Sequence, residues 1–135
     1  MSSAPDQNFK CFVAVHPGGE RVLDCFLCGT CTAGCPISEI DDGFNPRKIM
    51  RQILYGMKDE TLSDGEIWKC CQCHTCVAHC PQDVRFADVL RALREIAIAE
   101  GFCDSGLAEK VNALDIQARK QRLEGVGMLF NHPHR

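Results

Sequence analysis

The chain of 135 residues has no run of about eighteen apolar residues, which excludes a helical membrane span. Its first residues, MSSAPDQNF, lack the basic and then apolar layout of a secretion signal. A cytoplasmic site of action, where thiols stay reduced, is therefore expected. Charge of either sign is scarce in excess: the formal net charge is only −3, and no basic recognition helix is present. Nucleic acid is thus a poor partner, and a DNA-binding regulator is disfavoured. Length leaves room for one domain with a modest core and no second.

Against these absences stands one excess, eleven cysteines. Eight of them occupy the repeated positions of one pattern found twice, in CFLCGTCTAGCP at 25–36 and CCQCHTCVAHCP at 70–81. Each copy reads C-x2-C-x2-C-x3-C-P, and the second follows the first by 45 residues, cysteine for cysteine. In a reducing compartment such a set binds metal rather than forming a disulfide framework. Thiolates select zinc, copper(I) or iron-sulfur clusters. Zinc is served by two C-x2-C pairs and has no need of the third and fourth cysteines of each run.

A cubane cluster does need them: three closely spaced cysteines wrap it, and a fourth arrives from elsewhere. This is the run of two-cluster ferredoxins, in which the fourth cysteine ligates the other cluster. The expected assignment is therefore crossed. Cys25, Cys28, Cys31 and Cys80 hold one [4Fe-4S] cluster; Cys70, Cys73, Cys76 and Cys35 hold the other. Pro36 and Pro81 fix the backbone after each remote ligand. Crossing brings the clusters close together, and full cysteine ligation leaves no open position for a substrate, so electron transfer is expected and no catalytic residue. Ligating thiolates make the loaded protein more acidic than its formal charge.

Cys71 adjoins a ligand and reads as a spectator thiol. Cys11 reads as a buried small apolar residue and Cys103 as structural. His74 and His79 stand where the first run has Gly29 and Gly34, and either tune the second cluster or are surface imidazoles. His16 is a turn residue, and His132 and His134 are too few and too terminal for a metal site.

The fold class expected is mainly α, with a short N-terminal β-hairpin from FKCFVAV at 9–15 and the HPGG turn at 16–19. Asn45 and Pro46 open a helix carrying Ile49, Met50, Ile53, Leu54 and Met57 on one face. Ser63 with Glu66 forms a capping box for a second helix through Trp68. Phe86, Val89, Leu90, Leu93, Ile96 and Ala97 mark a helix of about fifteen residues stopped by Gly101. A last amphipathic helix follows Ser105, with Leu107, Val111, Leu114 and Ala118 as its stripe and basic residues 119–122 at its end. The tail GVGMLFNHPHR is either a frayed end or a docking segment. The expected organisation is a single domain, 1–135, with an N-terminal extension over 1–24, a cluster-binding core over 25–100 and a C-terminal helix and docking tail over 101–135.

The long connector of 34 residues between Cys35 and Cys70, with room for helices, resembles the α-helical ferredoxin fold. Four segments narrow the resemblance: CGTCTAGCP, NPRKIMRQILYG, IWKCCQCHTCVAHCP and VRFADVLRALREIA. Together they resemble the C-type iron-sulfur subunit of the heterodisulfide reductases of methanogens and their bacterial relatives. The resemblance implies a non-catalytic electron relay between two partners, a flavin-containing A-type subunit and a disulfide-reducing B-type subunit. It implies two [4Fe-4S] clusters, a hetero-oligomer and anaerobic metabolism. The rival readings are an iron-sulfur subunit of another oxidoreductase complex, a free two-cluster ferredoxin, and an iron-sulfur or zinc regulator.

Overall fold

A computed structural model describes residues 4–130, which form eight α-helices and no strand. The chain divides into two compact units, residues 1–103 and 104–135.

The first unit begins with a correction. FKCFVAV is a helix, α1 (Phe9–Val15), not a hairpin strand. Its aromatic and β-branched content suits a strand, but the residues it buries completely, Phe9 and Val13, are one helical turn apart, and among the described residues there is no strand to pair with. Cys11 lies on the opposite face and is exposed, so it is not the buried residue expected. The HPGG turn holds, with Gly18 at φ +97°. A 3-10 turn (Val22–Asp24) then delivers the chain to Cys25.

Helices α2 (Thr30–Ala33) and α3 (Pro36–Ile40) are short and belong to the first cysteine run. Helix α4 (Pro46–Leu54) starts as its sequence dictates, with Asn45 Oδ1 accepting from Lys48 N–H at 3.0 Å and proline in the first turn. It buries Ile49, Met50 and Ile53. Met57 lies past its end and precedes α5 (Lys58–Ser63). The capping box at Ser63 does not form: the Ser63 hydroxyl donates back to Asp59 O, and Asp64 caps the 3-10 turn Gly65–Trp68 by accepting from Glu66 N–H at 3.3 Å. The Ser63 side chain is turned back along its own helix toward Asp59 O, and Asp64 takes the capping N–H in its place.

After α6 (Thr75–His79), helix α7 (Phe86–Ala99) is the axis of the unit. It buries nine residues, among them Phe86, Val89, Leu90, Leu93 and Ile96, and packs against α1, α5, α6 and the 65–68 turn. Gly101 at φ +77° ends it, with Phe102 N–H reaching back to Ala97 O at 2.9 Å. Five of the run cysteines, Cys25, Cys35, Cys70, Cys76 and Cys80, pack against this core. Cys103 also packs against it, in line with a structural role.

In the second unit α8 (Leu107–Phe130) runs past the basic residues and takes in GVGMLF; His132 and His134 lie outside the described residues. Leu107, Val111, Leu114 and Ala118 share one face as expected, but over the full length of the helix the apolar side chains do not gather on one side and none is buried. No described helix is long and apolar enough to cross a membrane.

Gly56 ties the N-terminal segment to α4. It sits at φ +74°, its carbonyl accepts from Asp6 N–H at 2.8 Å, and a Cβ there would lie 2.3 Å from Asp6 O. Left-handed strain of about 1–2 kcal/mol adds to that backbone clash. Gly56→Ala should therefore lower stability by about 2 kcal/mol or more, read as a drop in denaturant midpoint. Gly65→Ala, with open space around its Cβ, should change it by less than about 0.5 kcal/mol.

Candidate metal centres

The two cysteine runs fold alike because their backbones turn at the same places. Two residues after the first cysteine the chain is left-handed, at Leu27 (φ +59°) and Gln72 (φ +56°), and again at Gly29 (φ +85°) and His74 (φ +61°). The first of these turns aims a backbone N–H at the first sulfur: Leu27 N–H to Cys25 Sγ and Gln72 N–H to Cys70 Sγ, both at 3.4 Å. Thr30 Oγ1 lies 3.3 Å from Cys28 Sγ and Thr75 Oγ1 lies 3.4 Å from Cys73 Sγ, so each hydroxyl can donate to a thiolate. One turn of helix follows in each run, and the fourth cysteine leaves it with extended backbone, Cys35 at ψ 120° and Cys80 at ψ 121°.

Helix α2 packs on α6, so each fourth cysteine crosses to the other run's loop. Cys25, Cys28, Cys31 and Cys80 line one hollow of about 380 Å³, mouth included, with Leu27, Met50 and Val84 among its walls. Cys35, Cys70, Cys73 and Cys76 line a second of about 310 Å³, with Ile37 and Phe44. Phe86 lines both. All eight expected ligands are thus brought into two sets of four. Cys71 also lines the second hollow, beside Cys73. His74 lines it where Gly29 lines the first, and His79 is exposed at the end of α6.

Donor chemistry and placement fit a cubane in each hollow. Zinc needs its ligands on a single point, sulfurs at about 2.3 Å. Among the described residues no three His, Cys, Asp or Glu side chains are gathered that way; the thiols are spread around each hollow instead. Apolar side chains make up much of each wall, and N–H groups face the sulfurs of Cys25, Cys70 and Cys80, as iron-sulfur ligation favours.

Burial governs the free thiols. It pushes Cys25, Cys31 and Cys70 up, and Cys76 to about 11. The Thr30 hydroxyl and N–H hold Cys28 down. For Cys73 burial acts upward, but Thr75 and Cys71 outweigh it and its net shift is downward. Burial, and then the neighbouring Cys73, raise Cys71.

Several supporting residues escape a reading of the sequence. Arg47 Nε donates to Leu27 O at 2.7 Å, and Arg94 Nη2 to Cys70 O at 2.8 Å while its guanidinium covers Trp68. Thr32 Oγ1 donates to Asn45 Oδ1 at 3.0 Å and accepts from Arg47 N–H at 2.9 Å, tying α2 to the start of α4. Gln72 Nε2 donates to Ala87 O at 3.1 Å, tying the second loop to α7. Only the matched spacing of Thr30 and Thr75 offered a signal, visible when the two runs are laid over each other.

A family model for a 4Fe-4S dicluster domain matches residues 24–85. The chain is 40% identical over 82 residues to a C-type iron-sulfur subunit of the CoB-CoM heterodisulfide reductase of Methanocaldococcus jannaschii, covering 61% of this chain and 43% of that protein. It is 40% identical over 84 residues to the C-type subunit of the ferredoxin:CoB-CoM heterodisulfide reductase of Methanosarcina mazei, covering 62% and 51%. With a protein of Archaeoglobus profundus that is itself described as like the C-type subunit of heterodisulfide reductase, the identity is 28% over 117 residues, 87% of this chain and 54% of the other. The chain spans about half the length of these curated relatives. Over its cysteine-bearing region this chain is similar to the C-type iron-sulfur subunits of heterodisulfide reductases and matches a 4Fe-4S dicluster domain.

Proposed function

We propose that the chain is the electron relay of a heterodisulfide reductase-type complex, passing single electrons between a flavin-containing subunit and a disulfide-reducing subunit. The observation that carries this reading is the pair of cysteine-ringed hollows with Phe86 common to both. Cys25, Cys28, Cys31 and Cys80 would hold one [4Fe-4S] cluster, and Cys35, Cys70, Cys73 and Cys76 the other. When bound, each cluster supplies a one-electron carrier. With four cysteines to each cubane, no iron is left for a substrate, so the chain carries electrons and performs no bond chemistry of its own. Its residues hold the two loops, wall the hollows with Met50, Val84, Phe44 and Phe86, and donate hydrogen bonds to the sulfurs. The location proposed is the cytoplasm.

Anaerobic purification of the protein with its associated chains tests the reading. About eight irons and eight sulfides per chain are expected, with two interacting cubane signals in EPR and flavin-bearing and disulfide-reducing chains attached. Zinc without sulfide would remove the iron-sulfur reading. Two clusters in a chain that remains alone would move the function to a free carrier.

A further inference from the structure

The two runs supply an internal comparison at Leu27 and Gln72. Both residues are left-handed and both send a backbone N–H to the first sulfur of their run at 3.4 Å. Each run is also held by one arginine, Arg47 on Leu27 O and Arg94 on Cys70 O. The side chains differ. Leu27 presents only carbon to its hollow, whereas Gln72 turns its amide back, with Nε2 at 3.6 Å from Cys70 Sγ and 3.1 Å from Ala87 O. The chemistry of the partners fixes which way the amide faces. A backbone carbonyl and a thiolate are both acceptors, so the NH₂ end must face them, one hydrogen to each.

We propose that Gln72 is a tuning residue that raises the reduction potential of the second cluster by donating a side-chain hydrogen bond to Cys70 Sγ. This rests on Cys70 being a ligand of that cluster. Reduction adds one electron and breaks no bond, and the added negative charge is shared with the thiolate sulfurs. A donor aimed at one of them stabilises the reduced form more than the oxidised form, and so shifts the potential upward. The contact to Ala87 O anchors the amide to α7, so the donor is held in place before the electron arrives. The first cluster has a further backbone donor on its fourth ligand, Val84 N–H to Cys80 Sγ at 3.5 Å. Exchange of side chains at the two matching positions therefore isolates the effect better than a ranking of the native potentials.

The experiment is an anaerobic redox titration of the cluster-loaded full-length protein, followed by EPR, with iron counted in every sample. Gln72→Leu should lower the midpoint of one cluster and leave the other unmoved, with iron content unchanged. Leu27→Gln should raise the midpoint of the other cluster. Gln72→Met, which keeps the length without the donor, should behave as Gln72→Leu. Hyperfine spectra compared between ordinary and deuterated buffer should show one exchangeable coupling fewer in both Gln72 variants than in the wild type, a change that loosened packing alone would not produce. Fully loaded Gln72 variants with unmoved midpoints would overturn the proposal. So would loss of the cluster from both, since the amide would then serve only to hold the loop. A wild-type protein without clusters would instead overturn the ligand assignment beneath it.

Discussion

Changing Cys28 and Cys80 together to alanine is expected to leave a chain with about four irons and one cubane signal, whereas changing Cys28 and Cys73 together leaves none. The argument is one of membership. Cys28 and Cys80 are 52 positions apart yet line the same hollow, and Cys28 and Cys73, equivalent positions in the two runs, line different ones. If each hollow holds one cluster, two substitutions in the same set cost one cluster, and one in each set costs both. An arrangement in which each run keeps its own cluster predicts the reverse pattern for a second pair. There Cys28→Ala with Cys35→Ala would spare a cluster, while the crossed arrangement makes that variant lose both. Iron and sulfide counting on these three double variants decides between the two arrangements without any spectroscopic assignment. Four irons left in the Cys28 and Cys35 variant, with none in the Cys28 and Cys80 variant, would overturn the crossing.

Cys71 adds one complication to the second hollow, since it lies beside Cys73 and lines the same space. Cys28 has no such neighbour: the residues on either side of it are Leu27 and Gly29. A second cluster that survives Cys73→Ala but not Cys71→Ala with Cys73→Ala would show Cys71 taking over as ligand. Cys35 lines that same hollow, so the Cys28 and Cys35 variant is also measured with Cys71→Ala added, which removes the substitute thiol.

Much of this site was legible because ligand spacing is a local property. The eight cysteines sit at fixed intervals in two matching runs, so the pattern alone points to the two sets of four that line the hollows. Helices α4 and α7 were legible for a similar reason, since their buried residues repeat at the helical period over nine and fourteen residues. Short segments were not. Over seven residues, FKCFVAV fits a strand by composition, and only burial of Phe9 and Val13 against the core decides for a helix. The Ser63 box failed because Asp64, one residue on, offers a cap of its own. Gln72, Arg47 and Arg94 could not be found from sequence because their partners are backbone atoms and sulfurs brought close by the fold. In the sequence they are a polar residue inside a motif and two basic residues on helices.

Phe86→Ala is expected to cost about 3–5 kcal/mol and to speed iron release from both clusters at once. The residue is 3% exposed, opens α7 directly after the left-handed Arg85, and lines both hollows. Truncating it removes apolar wall from each hollow and joins them through the space the ring leaves, giving water and oxidant one route to both sets of sulfurs. Phe9→Ala is the control, because Phe9 is fully buried in the same core and lines neither hollow. It should lose stability on a similar scale while iron release under native conditions stays near the wild-type rate. Phe86→Leu, which keeps most of the apolar volume, should recover most of both losses. The measurements are a denaturant midpoint and the rate at which a chelator collects iron in air. If Phe86→Ala and Phe9→Ala release iron equally fast for equal loss of stability, Phe86 is a core residue and nothing more. If release from only one cluster accelerates, the ring shields a single site. Simultaneous acceleration, beyond what the stability loss in Phe9→Ala produces, is the result that a shared wall requires.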